Sequence, residues 1–312
     1  MRFLVLFFVC SRLLWASDSP VRYEFQYRVK LTLPHEGARV RLWVPYPTQN
    51  AFQTIEKASV TSPLRWELKR EKQYGNQMVY FEGVSKKKEL DISLNYDVTR
   101  RPSHGILPAE VKKESPDDPS HFIKEDPRIP LVQLIRNIAA QETKKSQTDK
   151  EKLRAIYDYV VRTMSYDKSG VGWGKGDPIW ACSTKRGNCT DFHSLFIALS
   201  RSVGIPSRFI IGFPVPEGTT ESEIPGYHCW AEAYAKGVGW NPMDATEGKK
   251  SGNPELYFGR LPPNRIQFAL GRDLVLEPPQ HGEPLNFFVY PYAEVEGKVL
   301  EAIQKQFHVK RI

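Results

Sequence analysis

Cysteine is scarce in this sequence, and the few cysteines lie far apart. Four occur among 312 residues, with no C-x-x-C pair. This scatter argues against a structural zinc site and against a dense disulfide framework. Three cysteines remain beyond the first residues: Cys182, Cys189 and Cys229. The odd number favours a reactive thiol at Cys189 and leaves a Cys182–Cys229 bridge as a hypothesis.

Long hydrophobic runs are also missing from the body of the chain. No segment after the N-terminus has the roughly 20 apolar residues that span a bilayer, so no integral membrane segment is predicted in the mature chain. Residues 1–17 combine a positive start, a short apolar run and the small residues Ala16 and Ser17. This pattern predicts a signal peptide. The protein is therefore expected to be exported, either periplasmic or secreted.

The sequence has no strong excess of charge. Removal of residues 1–17 takes away Arg2 and Arg12, and the net charge falls from +8 to +6. The remaining basic residues are spread along the chain, so no nucleic-acid partner is predicted. The glycine-rich segment 166–178 lacks the Gly-Lys-Ser/Thr ending of a phosphate-binding loop, and we interpret it as a surface loop that lines a cleft.

The chain divides by pattern into several regions. Residues 21–99 show short stretches of alternating apolar and polar side chains, which predict a small β-sandwich. Six prolines between residues 101 and 130 indicate a linker. The predicted regions are a signal peptide (1–17), an N-terminal β-sandwich-like domain (18–100), a Pro-rich linker (101–130), a core (131–250) and a C-terminal β-rich extension of the core (251–312).

Helices are predicted in the core and strands in the extension. A capping box at Thr148 and Glu151 begins one helix. In the extension, apolar stretches predict strands at residues 274–276, 287–290 and 293–295, and residues 300–307 are interpreted as a short helix.

The segment that organises the core is residues 185–206. Apolar residues recur at steps of three and four, which predicts a helix over about residues 189–203 that begins after an N-cap at Asn188 and ends before Gly204. Cys189 then lies in the first turn, where unpaired amides and the helix dipole can lower a cysteine pKa from about 8.5 to roughly 3.5–7.5. Taken alone, a cysteine at a helix start is more often a small buried apolar residue than a nucleophile.

A predicted β-hairpin brings a histidine and a carboxylate together. Two strands, residues 227–235 and 240–246, flank a turn. If the turn is centred on Lys236, His228 lies directly across from Asp244 on the same face. A four-residue turn is an open alternative, and a slip of one residue would send Asp244 to the opposite face.

Each member of this group also has an ordinary structural explanation. His228 could be a core histidine, and Asp244 could cap a turn. Together with Cys189, however, they fit a nucleophile, an acid–base and an orienting carboxylate. A metal site made from the same three residues is a weaker alternative, because three scattered ligands lack an evident second shell.

Four motifs resemble the transglutaminase-like core. They are Gly187-Asn-Cys-Thr-Asp-Phe-His, Gly204-Ile-Pro-Ser-Arg, His228-Cys-Trp-Ala-Glu and Gly239-Trp-Asn-Pro-Met-Asp. The resemblance covers about residues 130–250. The tract 227–234 and the stretch 257–290 look similar to exported bacterial members. The resemblance implies an α+β fold, a papain-like or transglutaminase-like core with the nucleophile helix packed on an antiparallel sheet. The pattern of residues 21–99 places a small β-sandwich before this core. The resemblance also implies that Cys189 is the nucleophile, His228 the general acid–base and Asp244 its orienter.

The resemblance implies a thiol-dependent acyl-transfer enzyme that forms a thioester from peptide, isopeptide or glutamine amides of a protein or peptide substrate. Animal transglutaminases use calcium and additional C-terminal β-sandwich domains, and this sequence has neither an EF-hand loop nor room for such domains. Hydrolysis is therefore favoured over cross-linking, and no cofactor or metal is predicted. The Cys189 amide, with an indole from Trp173 or Trp180, is the predicted oxyanion donor. The alternative is a non-catalytic envelope module that binds a partner.

Overall fold

The computed structural model describes residues 19–104 and 118–312. The predicted signal peptide and residues 105–117 of the predicted linker lie outside the described residues. The fold is α+β with antiparallel sheets, as the sequence predicts. Among the described residues, no helix has both the length and the apolar character needed to cross a membrane.

Strands outnumber helices in the described part of the chain. The strands are β1 (Val21–Thr32), β2 (Arg39–Pro45), β3 (Gln53–Thr61), β4 (Arg65–Arg70), β5 (Gln77–Val84), β6 (Glu89–Arg100), β7 (Ser103–His104), β8 (Ser165–Tyr166), β9 (Arg186–Gly187), β10 (Ser207–Pro214), β11 (Glu221–Glu223), β12 (His228–Ala235), β13 (Gly239–Met243), β14 (Arg260–Leu261), β15 (Arg265–Leu270), β16 (Tyr292–Val295), β17 (Lys298–Val299) and β18 (Ile303–Arg311). The α-helices are α1 (Gln133–Thr143), α2 (Asp149–Thr163), α3 (Pro178–Thr184), α4 (Cys189–Ser202) and α5 (Ala245–Lys250).

Two five-stranded sheets contain the N-terminal strands. Their strand orders are β11-β18-β1-β6-β3 and β17-β16-β2-β5-β4. In β1, buried and solvent-facing side chains alternate, because one face of the strand packs on the interior. The buried Phe25 ring lies 5.2 Å from Phe213 of β10 and 5.3 Å from Phe268 of β15. This sheet is therefore packed directly against the sheet that carries the candidate site.

The C-terminal strands complete the two N-terminal sheets. β18 pairs with β1 from Leu31↔Ile303 to Tyr23↔Arg311, and β16 pairs with β2. This differs from the predicted layout, in which residues 251–312 extend the core. The helix predicted at residues 300–307 is wrong, because this segment is extended and satisfies its backbone groups by pairing with β1. The strands predicted at 274–276 and 287–290 are also wrong, since only an isolated bridge forms in that segment, at Leu274↔Leu285.

A four-stranded antiparallel sheet forms the centre of the core, in the order β13-β12-β10-β15. Helix α4 packs on β12 and β10. The hairpin register differs from the predicted one: Ala235 pairs with Gly239 and Ala231 pairs with Met243, which is the last paired residue of β13. His228 therefore has no cross-strand partner in β13, and the predicted His228–Asp244 pairing is wrong. Asp244 instead leaves the sheet and caps α5.

The three described cysteines are all free thiols. The hypothesis of a Cys182–Cys229 bridge is therefore wrong. Cys182 lies in α3, where its sulfur is 3.8 Å from Lys185 Nζ. Cys229 lies in β12 and faces the start of α4, with its sulfur 3.9 Å from Thr190 Oγ1. The two sulfurs contact different residues, and neither is bonded to the other.

Candidate active site

Helix α4 begins at Cys189 because the preceding residue caps it. Asn188 Oδ1 accepts a hydrogen bond from the Thr190 amide (2.9 Å), and Asp191 Oδ2 accepts one from the Asn188 amide (2.9 Å). This capping box satisfies two amides that the helix itself leaves unpaired. The predicted start at Cys189 is confirmed. Cys189 occupies the first helical position, and only 3% of its surface is exposed.

The structure brings Cys189, His228 and Asp244 together. His228 Nε2 donates to Asp244 Oδ2 at 2.7 Å. The imidazole also lies close enough to the Cys189 side chain for that group to raise the pKa of His228. Since Nε2 is engaged by the carboxylate, Nδ1 is the ring nitrogen left for the sulfur. The contact between imidazole and carboxylate was predicted, although it forms at the end of β13 and not across the hairpin.

The surroundings favour an ion pair between Cys189 and His228. A hydrogen bond from the Cys229 thiol lowers the pKa of Cys189; burial opposes this, while the His228 hydrogen bond and charge add to it. Burial also opposes the charged imidazole, but Asp244 and Cys189 together raise the pKa of His228 to about 9. The imidazolium is therefore kept below about pH 9 and lost above it. A thiolate beside an imidazolium is the reactive form of a cysteine nucleophile.

Arg265 is a site residue that the sequence analysis missed. Its Nη1 donates to Asp244 Oδ2 at 2.6 Å, and the Glu247 amide donates to Asp244 Oδ1 at 3.0 Å. Burial would raise the pKa of Asp244, but the charges of His228 and Arg265 hold it well below its usual range. Asp244 is therefore an acceptor that fixes both cations. No local pattern marks Arg265, because it reaches the site from β15, two strands away from β12.

His193 is buried beside the three residues, but its partners give it a structural role. Its Nδ1 lies 2.8 Å from the Cys189 carbonyl oxygen, to which it donates, and its Nε2 accepts from the Ala245 amide at 3.1 Å. These bonds require the neutral ring, and burial lowers the pKa of His193 accordingly. The ring thus ties α4 to α5. Within the described ranges, no group of three His, Cys, Asp or Glu side chains could hold a metal ion.

Asp191 fastens the glycine-rich loop to α4. Its carboxylate accepts hydrogen bonds from the amides of Gly174 (2.7 Å) and Gly176 (2.9 Å), besides that of Asn188. Burial raises the pKa of the Asp191 carboxyl, and the hydrogen bonds from the three amides lower it again in part. A Cβ at Gly176 would lie 2.8 Å from Thr190 Cγ2, so only glycine brings the loop this close. The motif contained Asp191, but nothing in the motif indicated this role.

Arg272 holds the same loop from the other side. It is buried, and its Nη1 donates to the Gly176 carbonyl (2.8 Å) and to Ser194 Oγ (2.9 Å). Its Nη2 donates to the Lys175 carbonyl at 2.7 Å. The loop is therefore fixed to α4 from two sides. The Asp191 carboxylate accepts hydrogen bonds from the loop amides, and the Arg272 guanidinium donates to the loop carbonyls.

Two aromatic side chains lie close to the glycine-rich loop and the start of α4. Trp180 lies against the glycine-rich loop, since a Cβ at Gly172 would be 2.6 Å from Trp180 Nε1. The Tyr227 hydroxyl accepts from Asn188 Nδ2 (3.1 Å) and contacts Thr190 Oγ1 (3.0 Å). Burial and the neighbouring Cys189 raise the pKa of Tyr227, so it stays a neutral phenol. Whether the indoles of Trp173 and Trp180 serve an oxyanion stays a prediction.

Replacing Cys229 with alanine is expected to raise the pKa of Cys189 by about one unit, because a hydrogen bond to a charged group contributes about 1.5–3 kcal/mol, partly replaced by water. The measurement is the rate of Cys189 alkylation by iodoacetamide against pH, followed by peptide mass spectrometry. Cys182→Ala is the matched control and should leave the profile unchanged. An unchanged profile for Cys229→Ala would show that Cys229 does not tune the nucleophile.

Comparison with known proteins shows that the segment containing this site is similar to a known family of domains. Residues 136–245 match the transglutaminase-like superfamily core. An uncharacterized protein of Haemophilus influenzae is 27% identical over 91% of this chain and 89% of its own length. The uncharacterized protein YebA of Bacillus subtilis is 28% identical over 38% of this chain and 18% of its own.

One solved structure supports the same fold over nearly the whole molecule. A candidate cysteine protease of Cytophaga hutchinsonii superimposes with a TM-score of 0.63 and 17% identity, and the match covers 94% of this chain and 91% of that one. At this identity the likeness establishes the fold alone. It includes both the N-terminal sheets and the core, because so little of either chain is left uncovered.

Proposed function

We propose that this chain, whose residues 136–245 match the transglutaminase-like superfamily core, is a thiol-dependent acyl-transfer enzyme. Cys189 is the nucleophile, His228 the general acid–base and Asp244 the residue that orients His228. The substrates are peptide, isopeptide or glutamine amides of a protein or peptide, and no cofactor takes part in the proposed steps. The predicted signal peptide makes the enzyme exported, in the periplasm or outside the cell.

One observation carries the proposal. A thiol at the first position of α4 lies beside the imidazole of His228, and the Nε2 atom of that ring is 2.7 Å from the buried Asp244 carboxylate. Three features each favour the thiolate–imidazolium form: the helix N-terminus, the Cys229 hydrogen bond and the Asp244 charge. A buried cysteine that only filled space would have its pKa raised by burial, not lowered.

The chemical steps follow from this geometry. The Cys189 thiolate attacks the amide carbon and forms a C–S bond. His228 donates its Nδ1 proton to the leaving nitrogen as the C–N bond breaks, and an amine or ammonia departs. The thioester is then opened by water, whose proton returns to His228 as the C–S bond breaks and the thiolate is restored. Asp244 stays ionised throughout and holds Nε2, so that Nδ1 faces the sulfur.

Water is favoured over an amine as the acceptor of the acyl group. Only 3% of the Cys189 surface is exposed, which favours a small acceptor over a bulky lysine-bearing protein. An amine acceptor remains chemically equivalent, since it would open the thioester by the same steps.

The experiment that tests the proposal uses the wild-type protein, a peptide library rich in glutamine and a small primary amine. Mass spectrometry separates the three expected products: peptide cleavage, conversion of glutamine to glutamate, and amine incorporation. We expect cleavage or deamidation to dominate, because water is the favoured acceptor. The Cys189→Ala variant, which has no nucleophile, sets the background.

The second candidate, a non-catalytic envelope module, predicts a different result. In that case wild type and Cys189→Ala would give identical peptide patterns, and iodoacetamide at pH 6 would leave Cys189 unmodified. Rapid and selective modification at pH 6 is expected for the enzyme, because its thiolate persists well below the usual cysteine pKa. Slow modification together with identical patterns would overturn the enzyme proposal.

A further inference from the structure

Two buried arginines behind Asp244 have unpaired donors. Arg100, at the end of β6, has 2% of its surface exposed, and Arg265 has 3%. Arg100 Nε, Arg100 Nη1 and Arg265 Nε have no hydrogen-bond partner among the described residues. Nothing in the catalytic steps uses Arg100. A guanidinium keeps its proton under all ordinary conditions, so each unpaired N–H belongs to a buried cation.

The neighbours of Arg100 connect it to the segment that carries Arg265, and the charge of Arg265 acts on Arg100. Gln53 is directly opposite Arg100 in the β3–β6 ladder, and its side chain exchanges two hydrogen bonds of 2.8 Å with the backbone of Gln267. On the other side, the Tyr23 hydroxyl donates to the Pro263 carbonyl at 3.3 Å. Pro263 and Gln267 flank Arg265 in the chain. The strands on both sides of Arg100 are thus joined to the segment that carries Arg265.

Among residues 19–104 and 118–312, the buried cations in this region outnumber the carboxylates paired with them. Arg208 of β10 and Glu232 of β12 form an ion pair on the sheet that also contains β15, with Arg208 Nη2 2.7 Å from Glu232 Oε2. Arg265 of β15 is paired with Asp244. Arg100 is a third cation, and the described carboxylate whose charge reaches it, Glu232, is already paired with Arg208. Burial and the charge of Arg265 lower the pKa of Arg100 to about 10, a measure of how unfavourable its surroundings are for a positive charge. An uncompensated buried charge of this kind is strongly destabilising.

We propose that a monovalent inorganic anion binds between Arg100 and Arg265 and accepts hydrogen bonds from their unpaired N–H groups. The site lies between the N-terminal sheet and the core, beside the arginine that holds Asp244. The bound anion supplies the missing negative charge. The anion binds Nε of Arg265, while Asp244 binds Nη1. Both nitrogens belong to one planar guanidinium and cannot move independently, so the anion also holds the group that binds Asp244. Chloride is the probe of choice because it is small and lacks donors.

Thermal unfolding in chloride tests the proposal. The melting temperature of the wild type is expected to rise by about 5 °C between zero and 100 mM sodium chloride, relative to sodium gluconate at equal ionic strength, if the site is about 99% filled. Arg100→Met should lose this chloride-specific rise. It should also be at least as stable as wild type in gluconate, because it removes a buried unpaired cation.

The matched control is Arg101→Met, at the exposed neighbouring arginine. It should keep the full chloride effect. Superimposable chloride and gluconate series for the wild type would overturn the proposal, as would an Arg100→Met protein that still responds to chloride.

A direct measurement covers the case in which Arg100→Met does not fold. Wild-type crystals grown without halide and soaked in sodium bromide should show an anomalous bromine peak within about 3.5 Å of Arg100 Nη1 and Arg265 Nε. An ordered water or an empty position there, with no anomalous signal, would overturn the proposal.

Discussion

Replacing Asp244 with asparagine is expected to lower kcat/KM for amide substrates by about 10⁴-fold, as the loss of an orienting carboxylate does in a serine triad. The neutral amide cannot stabilise the imidazolium, and His228 would no longer be held with Nδ1 towards the sulfur. Arg265 would lose its counter-ion at the same time. The measurement is steady-state hydrolysis of the best peptide found for the wild type.

The fold should survive this change better than the activity does. Asparagine is as good an N-cap as aspartate, so the start of α5 is kept. Asp158→Asn is the matched control: it also removes a carboxylate paired with an arginine, but at the exposed Arg154 pair, and should leave kcat/KM unchanged. A loss of less than about tenfold in Asp244→Asn would show that Asp244 does not orient His228.

Replacing Asp191 with alanine is expected to destabilise the protein by about 3 kcal/mol. The change leaves three amides without their acceptor, two of them buried, and the cost of unpaired buried donors is about 1–3 kcal/mol each before the loop relaxes to water. Equilibrium unfolding in urea measures the loss. The loop should also become a site of proteolytic cleavage, since Asp191 joins it to α4.

The control for this change lies in the same loop. Asp167 is an aspartate that also accepts a backbone hydrogen bond, from Ser169 at 2.7 Å, but it is exposed to solvent. Asp167→Ala should cost less than about 1 kcal/mol. If the two variants unfold at the same urea concentration, the three hydrogen bonds do not hold the loop.

The parts of the site that could be predicted from the sequence are those set by residues a few positions apart in the chain. The start of α4 at Cys189 was predictable because capping and apolar spacing act within a few residues. The meeting of His228 with Asp244 was expected from the hairpin and the resemblance. The register was wrong because the turn takes three residues, Lys236 to Val238, and Asp244 leaves the sheet to cap a helix.

The remaining features have no local signal. Arg265 reaches Asp244 only because β15 lies next to β10, a pairing that neither segment encodes by itself. β18 was interpreted as a helix because its partner, β1, lies at the far end of the sequence. Asp191 was visible in the motif, but its role depends on the folded position of the glycine-rich loop. These features depend on contacts between segments that are distant in the chain, so local sequence patterns could not predict them.

The pairing of β18 with β1 has a consequence for the order in which the molecule is made. During synthesis β1 emerges first and β18 last, and the whole core is translated between them. Until then, one edge of β1 has no partner, and an unpaired edge is a site of aggregation. The N-terminal sheet can therefore reach its final form only after the whole core has been translated, and the nascent chain needs that edge of β1 shielded until then.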